Sequence, residues 1–273
     1  MSNHEQQTDG SKGARGVYSE GATSALEQTT STAADADTLY ADRNVFEWYE
    51  RRLPPLLADA HLIDWGAGPG RFAPLYLRRH PHRLTLIEPS PSGYERLVAK
   101  YGDLPNVELL NAGIGISVAR AAVPAQVLHL CNFVVNCLDH PREAFRLFAQ
   151  SIHPGERLII FTNAFIPASL ARRLRWDQVL EALDFDLAAE AASDARLPLS
   201  QTFSNQIIAS GVILTDSVHT IAEYAEILRG DEWRVLKTSL MPPCGFRHVL
   251  QPGEDFGDMV FAVLILELER QEP

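Results

Sequence analysis

Cysteine is scarce in this sequence. Only Cys131, Cys137 and Cys244 are present, and no two of them form a C-x-x-C pair. That excludes a disulfide framework and gives no support to a zinc ribbon or a thioredoxin-like site. The odd count and wide spacing suit a reducing compartment, so a cytoplasmic protein is expected. Long apolar runs are missing as well. The longest, Met259 to Leu266, is far shorter than the roughly 20 residues that cross a bilayer. The opening MSNHEQQTDG has no apolar signal core, and no membrane partner is expected. Base is in deficit: 24 Lys and Arg stand against 35 Asp and Glu, a net charge of -11. Such a surface repels phosphate backbones, which argues against nucleic acid as a partner. His80 and His82 only flank Pro81 in a loop, and no metal site is expected.

What is there is an ordinary globular interior. With 46% hydrophobic residues over 273 positions, the chain can bury a large core without staples. Residues 1–36 are the exception, rich in Ser, Thr, Gly, Gln, Ala and Glu, and read as a disordered or lid-like arm. From Asp42 the pattern turns helical, with Val45, Phe46, Tyr49 and Leu53 on one stripe and Pro54-Pro55 as its stop. Short apolar strands then alternate with helices. Strands are predicted at 61–65, 84–88, 107–111, 126–132 and 157–162, with helices at 72–79, 92–101 and 141–152 between them. That rhythm predicts a doubly wound sheet with parallel strands. Residues 164–216 break it with helical and irregular sequence. A helix at 220–230, started by a Thr220/Glu223 capping pattern, and strands at 233–240 and 258–268 follow.

The most informative stretch is Leu62-Ile63-Asp64-Trp65-Gly66-Ala67-Gly68-Pro69-Gly70-Arg71. Glycines after a first strand let the backbone approach a ligand closely. A dinucleotide fingerprint would be G-x-G-x-x-G. Here the third glycine comes one residue early, and Arg71 stands where it belongs, too large for close helix–strand packing. No Gly-Lys-Ser/Thr follows, so a P-loop is also excluded.

The strand-Asp-x-Gly-x-Gly-x-Gly form resembles motif I of the class I S-adenosylmethionine-dependent methyltransferases. Leu84-Thr85-Leu86-Ile87-Glu88-Pro89 resembles that family's second strand, and Ile152-His153-Pro154-Gly155-Glu156-Arg157-Leu158 its entry to the fifth, with Glu156 in place of a glycine. The resemblance covers about 61–163 by motif and 217–268 by pattern. It implies an α/β, doubly wound, Rossmann-like sheet of seven strands. The implied order is 3-2-1-4-5-7-6 with the last strand antiparallel, a helical insertion after strand 5 at 164–216, and one domain over 37–273. It also implies S-adenosyl-L-methionine as donor, held by Asp64, Gly66, Ala67, Gly68, Gly70, Glu88, Pro89, Asn132 and Phe133. Glu88 stands at the ribose hydroxyls. Asn111, or by another alignment Gly113, stands where the family places an Asp at the adenine amine.

The implied activity is methyl transfer to a small-molecule acceptor. A nicotinamide-dependent oxidoreductase and a non-catalytic adenosyl-ligand binder are the alternatives. Two long connections, 164–216 and 241–257, leave the expected binding edge and carry Phe165, Trp176, Phe203, Phe246, Arg247 and His248 as acceptor-pocket candidates. His140, His219 and His248 are the candidate bases. The stripe Val179, Leu180, Leu183 and Leu187 also suits a helical pair that packs for stability or a homodimer.

Overall fold

The computed structural model describes residues 43–53, 59–120, 126–135, 138, 140–174, 182–193, 200–207, 212–241 and 259–272. The N-terminal arm, Trp176, Val179, Leu180 and the run Phe246 to His248 lie outside them.

Helix α1 (Arg43–Arg52) is the first described element and buries Val45, Trp48 and Tyr49, with Leu53 just beyond it. Strand β1 (His61–Trp65) is buried along its whole length, as its HLIDW sequence implies. Then come α2 (Ala73–Leu77), β2 (Arg83–Ile87), α3 (Pro91–Tyr101), β3 (Val107–Leu110), β4 (Val127–Asn132), α4 (Pro141–Ser151) and β5 (Arg157–Pro167). Proline opens α3 and α4 at a position whose N–H has no helical partner. Gly155, at a φ of 83°, turns the chain between α4 and β5. Next are α5 (Ala168–Arg173), β6 (Leu183–Asp184), α6 (Leu187–Ser193), β7 (Ser200–Ile207), β8 (Val212–Thr220), α7 (Ile221–Ile227), β9 (Trp233–Met241) and β10 (Met259–Arg270). Thr220 caps α7 by accepting from the Glu223 N–H, as the spacing predicts.

The sheet runs β3-β2-β1-β4-β5-β10-β9-β6. β1 to β5 pair in parallel, whereas β10 is antiparallel to both β5 and β9. This is the predicted 3-2-1-4-5-7-6 order, extended by the two-residue β6 at one edge. Apolar layers cover both faces. One gathers Ile63, Trp65, Phe145, Phe148 and Tyr224, the other Leu62, Tyr49, Tyr76, Leu130 and Phe161.

The connection after β5 differs from its expected helical character. Its described part holds two short helices but also the hairpin β7–β8, which joins the sheet where β8 pairs in parallel with Ala164 and Phe165 of β5. Leu183 sits in a strand and Leu187 opens a helix, so these two do not share a helical stripe.

One polar cluster pins the sheet. Arg120 meets Glu156 through two 2.7 Å bonds, and Glu156 also bonds His129 at 2.9 Å and the His153 N–H at 2.9 Å. Trp65 reaches the same histidine at 3.1 Å. The residue that departs from the family's glycine thus anchors β5 to β4.

Candidate functional site

The parallel strands end along one edge, and β1 and β4, whose crossovers diverge, sit at its centre. A ligand of an open α/β sheet belongs in that crevice. The glycine turn forms its floor. Gly66 and Ala67 both donate to the Ile87 carbonyl, at 2.8 and 2.9 Å, so the turn is folded onto the end of β2. Tyr101 and Lys100 of α3 hold the turn from outside, donating to the carbonyls of Gly70 and Pro69. Gly66, Gly68 and Gly70 all have positive φ. A Cβ on Gly66 would lie 2.4 Å from Val134, and one on Gly70 2.4 Å from Tyr101. At Gly68 a Cβ would meet nothing within 4 Å. The middle glycine therefore opens onto free space while its neighbours are packed.

Two buried carboxyls flank the turn in sequence. Glu88 follows β2 and is 5% exposed. Its oxygens accept from the Gly68 N–H at 2.7 Å and the Ser90 N–H at 2.9 Å. Burial pushes its pKa up to about 7, against the pull of those two N–H groups. Asp64, at the top of β1, is 1% exposed. Burial pushes it up to about 7 as well, and the Glu88 charge adds to the rise. Its Oδ1 accepts from Asn132 at 3.2 Å, while its buried Oδ2 has no hydrogen-bond partner.

Asn132, the last residue of β4, is the hub of the pocket. Its amide also donates to Tyr76 at 2.9 Å, and its carbonyl accepts from Tyr49. Tyr76 in turn hydrogen-bonds Tyr49. Burial raises both phenols well above their ordinary range. Phe133 follows at a φ of 56°, a left-handed conformation that is strained for a phenylalanine. Its N–H donates to Phe161 of β5, which fixes the bend at the strand's exit.

The predicted donor-site residues Asp64, Gly66, Ala67, Gly68, Gly70, Glu88, Pro89, Asn132 and Phe133 thus converge on one edge. Asn111 lies beside them with a different contact from the one expected. Its amide nitrogen donates to the Glu88 and Pro89 carbonyls, at 2.9 and 3.4 Å, and so braces the β2 exit. Arg71 stays out of the helix–strand contact, its guanidinium 5.3 Å from the ring centres of both Phe46 and Phe72.

The other candidates scatter. His219 lies in β8 and is 1% exposed. Its Nδ1 faces Glu223 at 2.7 Å and its Nε2 the Leu138 carbonyl at 3.3 Å. Leu138 and Tyr224 beside it belong to the apolar layer on the opposite face of the sheet. His140 is exposed ahead of α4 and makes no side-chain cap. Phe165 is buried in β5, on the same strand face as Phe161 by alternation. Phe203 lies in β7, paired in register with Asp216. Trp176 and Phe246 to His248 fall outside the described residues.

The sequence reading did not single out Tyr49 and Tyr76 as site residues. Both lie on helical apolar stripes and read as core; only the fold shows where their hydroxyls go. Trp48, beside Tyr49, keeps a buried indole N–H with no partner and packs edge-on against Phe161.

No protein-family model matches the chain. It is 29% identical over 196 residues to trans-aconitate 2-methyltransferase of Methylobacterium nodulans, spanning 69% of this chain and 71% of that protein. Among solved structures it superposes on the 1,6-didemethyltoxoflavin-N1-methyltransferase of Burkholderia thailandensis with a TM-score of 0.54 at 15% identity, over 92% of this chain and 87% of that one. It also superposes on the N-methyltransferase NodS of Bradyrhizobium japonicum, TM-score 0.51 at 14% identity, over 93% and 100%. Both of those structures contain S-adenosylhomocysteine, the first together with 1,6-didemethyltoxoflavin.

Proposed function

We propose, from the premise that this chain belongs to the class I S-adenosylmethionine-dependent methyltransferases, that it moves a methyl group from S-adenosylmethionine to a small-molecule acceptor. The observation that carries the reading is the pair of buried carboxyls at the ends of β1 and β2, Asp64 and Glu88, the latter bonded to the N–H of a glycine at which a Cβ would meet nothing within 4 Å. The residues suit the donor. A diol fits an acceptor-rich carboxylate at the end of β2, where a 2′-phosphate would be repelled. A cationic ligand fits the unpartnered Oδ2 of Asp64.

In this reading Gly66, Ala67, Gly68 and Gly70 let the backbone approach the donor, Glu88 holds its ribose, and Asp64 faces its positive charge. When bound, S-adenosylmethionine supplies a methyl group already activated by its sulfonium. Asn132 and Phe133 define the wall from which transfer proceeds. Phe161 and Trp48 pack edge-on in the buried layer behind that wall. Phe165, together with Trp176, Phe203, Phe246, Arg247 and His248, is the proposed acceptor set. His248 is the proposed base for an acceptor that must lose a proton.

The test is direct. Purified chain is titrated by calorimetry with S-adenosylmethionine, S-adenosylhomocysteine and NADH. It is then incubated with the donor and a metabolite panel that includes trans-aconitate. Saturable binding of both adenosyl ligands and a product heavier by one methylene unit are expected. Binding of NADH alone would overturn the reading.

A further inference from the structure

We propose that Asp64 holds a proton in the donor-free protein and gives it up when the cationic donor enters, and that Tyr49 and Tyr76 are the positioning residues that set how readily it does so, by closing a hydrogen-bond ring that keeps the Asn132 amide N–H on its carboxyl. The inference rests on the donor-site reading above.

Each proton in the ring has one place to go. Tyr49 donates to the Asn132 carbonyl, so the Tyr49 oxygen is the acceptor in its bond with Tyr76. One amide proton of Asn132 goes to the Tyr76 oxygen and the other to Asp64 Oδ1. Two phenols and one amide thereby engage every N–H and O–H they own. Asp64 receives a single neutral donor, and its second oxygen is buried with none. Such a carboxylate is poorly compensated, since one amide hydrogen bond does not replace hydration.

The groups that face Asp64 bring no counter-charge. Tyr49 comes from α1 and Tyr76 from α2, both as neutral phenols. Cys131 on β4 is a fully buried thiol that burial keeps protonated. Glu88, beyond β2, carries the same sign as Asp64. The elevated pKa of Asp64 is consistent with this geometry. S-adenosylmethionine brings a sulfonium and an ammonium. Either of them at Oδ2 stabilises the carboxylate, and the proton passes to solvent. Donor affinity must then rise with pH, by linkage.

The ring also explains why phenols are used. An amide free to rotate would swing its carbonyl toward Asp64 and remove the only donor the carboxylate has. Tyr49 prevents this by occupying that carbonyl.

The experiment is calorimetric titration of the full chain with S-adenosylmethionine and with S-adenosylhomocysteine, in two buffers of different ionisation enthalpy at about pH 6, where linkage predicts the largest release. The wild type and Glu88→Gln should each release a proton on binding, and Asp64→Asn should release about one fewer than the wild type. Tyr49→Phe should move the midpoint of the affinity–pH profile upward by about half a unit or more, because the amide is no longer held. A purely structural role for Tyr49 would weaken binding equally at every pH and would overturn the ring's part. Abolition of release in Glu88→Gln would assign the proton to Glu88 and overturn the proposal. So would wild-type affinity independent of pH with no proton released. Failure of both ligands to bind at any pH would instead remove the donor-site reading itself. Should Asp64→Asn fail to bind, the Glu88→Gln and Tyr49→Phe titrations still decide.

Discussion

The indole N–H of Trp65 donates to Nδ1 of His129 at 3.1 Å, and this bond decides where the imidazole keeps its proton. An indole N–H cannot accept, so Nδ1 must carry a lone pair. The proton is therefore on Nε2, which donates to Glu156 at 2.9 Å. Burial lowers the pKa of His129 despite the pull of Glu156, which agrees with a neutral ring. Trp65→Phe strands a buried acceptor and should destabilise the protein by about 1–3 kcal/mol beyond its lost packing. Chemical denaturation measures the loss, and nitrogen NMR shifts of the His129 ring should report the Nε2–H tautomer in the wild type.

Glu156 makes the protein acid-sensitive in a defined range. Burial pushes its carboxyl upward, but the bonds from His129 and Arg120 outweigh this and hold it at about 2. Its stabilising contribution is complete above the unfolded value of about 4.3 and is lost as pH falls toward the folded one. His61 acts higher. Burial, helped by the charges of Arg83 and Arg120, lowers it to about 4. Its contribution is complete above about pH 6.5 and fades as pH falls through the folded value. Melting temperature should therefore drop in two stages on acidification. Glu156→Gln should remove the lower stage and cost about 3–5 kcal/mol at neutral pH, because it leaves Arg120 without its charge partner.

The three turn glycines should respond differently to alanine. Gly66→Ala and Gly70→Ala place a Cβ 2.4 Å from Val134 and Tyr101, on top of a positive φ, and should destabilise the fold markedly. Gly68→Ala meets no protein atom within 4 Å. It should cost only about 1–2 kcal/mol for the left-handed backbone, while reducing donor affinity by about tenfold or more through occupation of the ligand's side of the turn. Melting curves and calorimetry on the three variants separate the two effects.

Asp64→Asn should stabilise the donor-free protein above about pH 7. The wild-type carboxyl titrates at about 7 when folded and near 4 when unfolded. Folding therefore holds the extra proton between those values, and stability declines as pH rises through them. Asparagine removes that decline, for a gain on the order of 1–4 kcal/mol at about pH 8 that vanishes below about pH 4. Denaturation at both pH values, with donor titration beside it, should show stability and binding moving in opposite directions.

The strands that build the site were legible because they are short, apolar and punctuated. HLIDW before Gly66 and RLTLI before Glu88-Pro89 leave little choice of element. Asp64, Glu88 and Asn132 could be placed because each lies within one residue of a strand's last position. The hairpin β7–β8 was not legible, since SQTFSNQI has few apolar residues to set a period of two. His219 lies in the partner strand β8, which goes unread together with β7. The hydroxyls of Tyr49 and Tyr76 were hidden by their own rings, which satisfy a helical apolar stripe whether or not the oxygen has a partner. Asn111 shows the opposite limit. Its position was read well enough, but which of its two amide atoms faces the neighbouring loop depends on carbonyls that only the folded β2 exit brings near.

The antiparallel ladder between β5 and β10 runs from Met259 against Pro167 to Glu269 against Arg157, and it puts the latest described strand in the interior of the sheet. During synthesis the five parallel strands can assemble as they emerge, but β9 has only the two-residue β6 to lean on until β10 arrives. Until then β5 presents unpaired backbone beside Ile159 and Phe161, a template on which another nascent chain can add. A ribosome that stalls ahead of residue 259 would leave this edge open, so the vulnerable interval in the life of the protein lies between the emergence of β5 and that of β10.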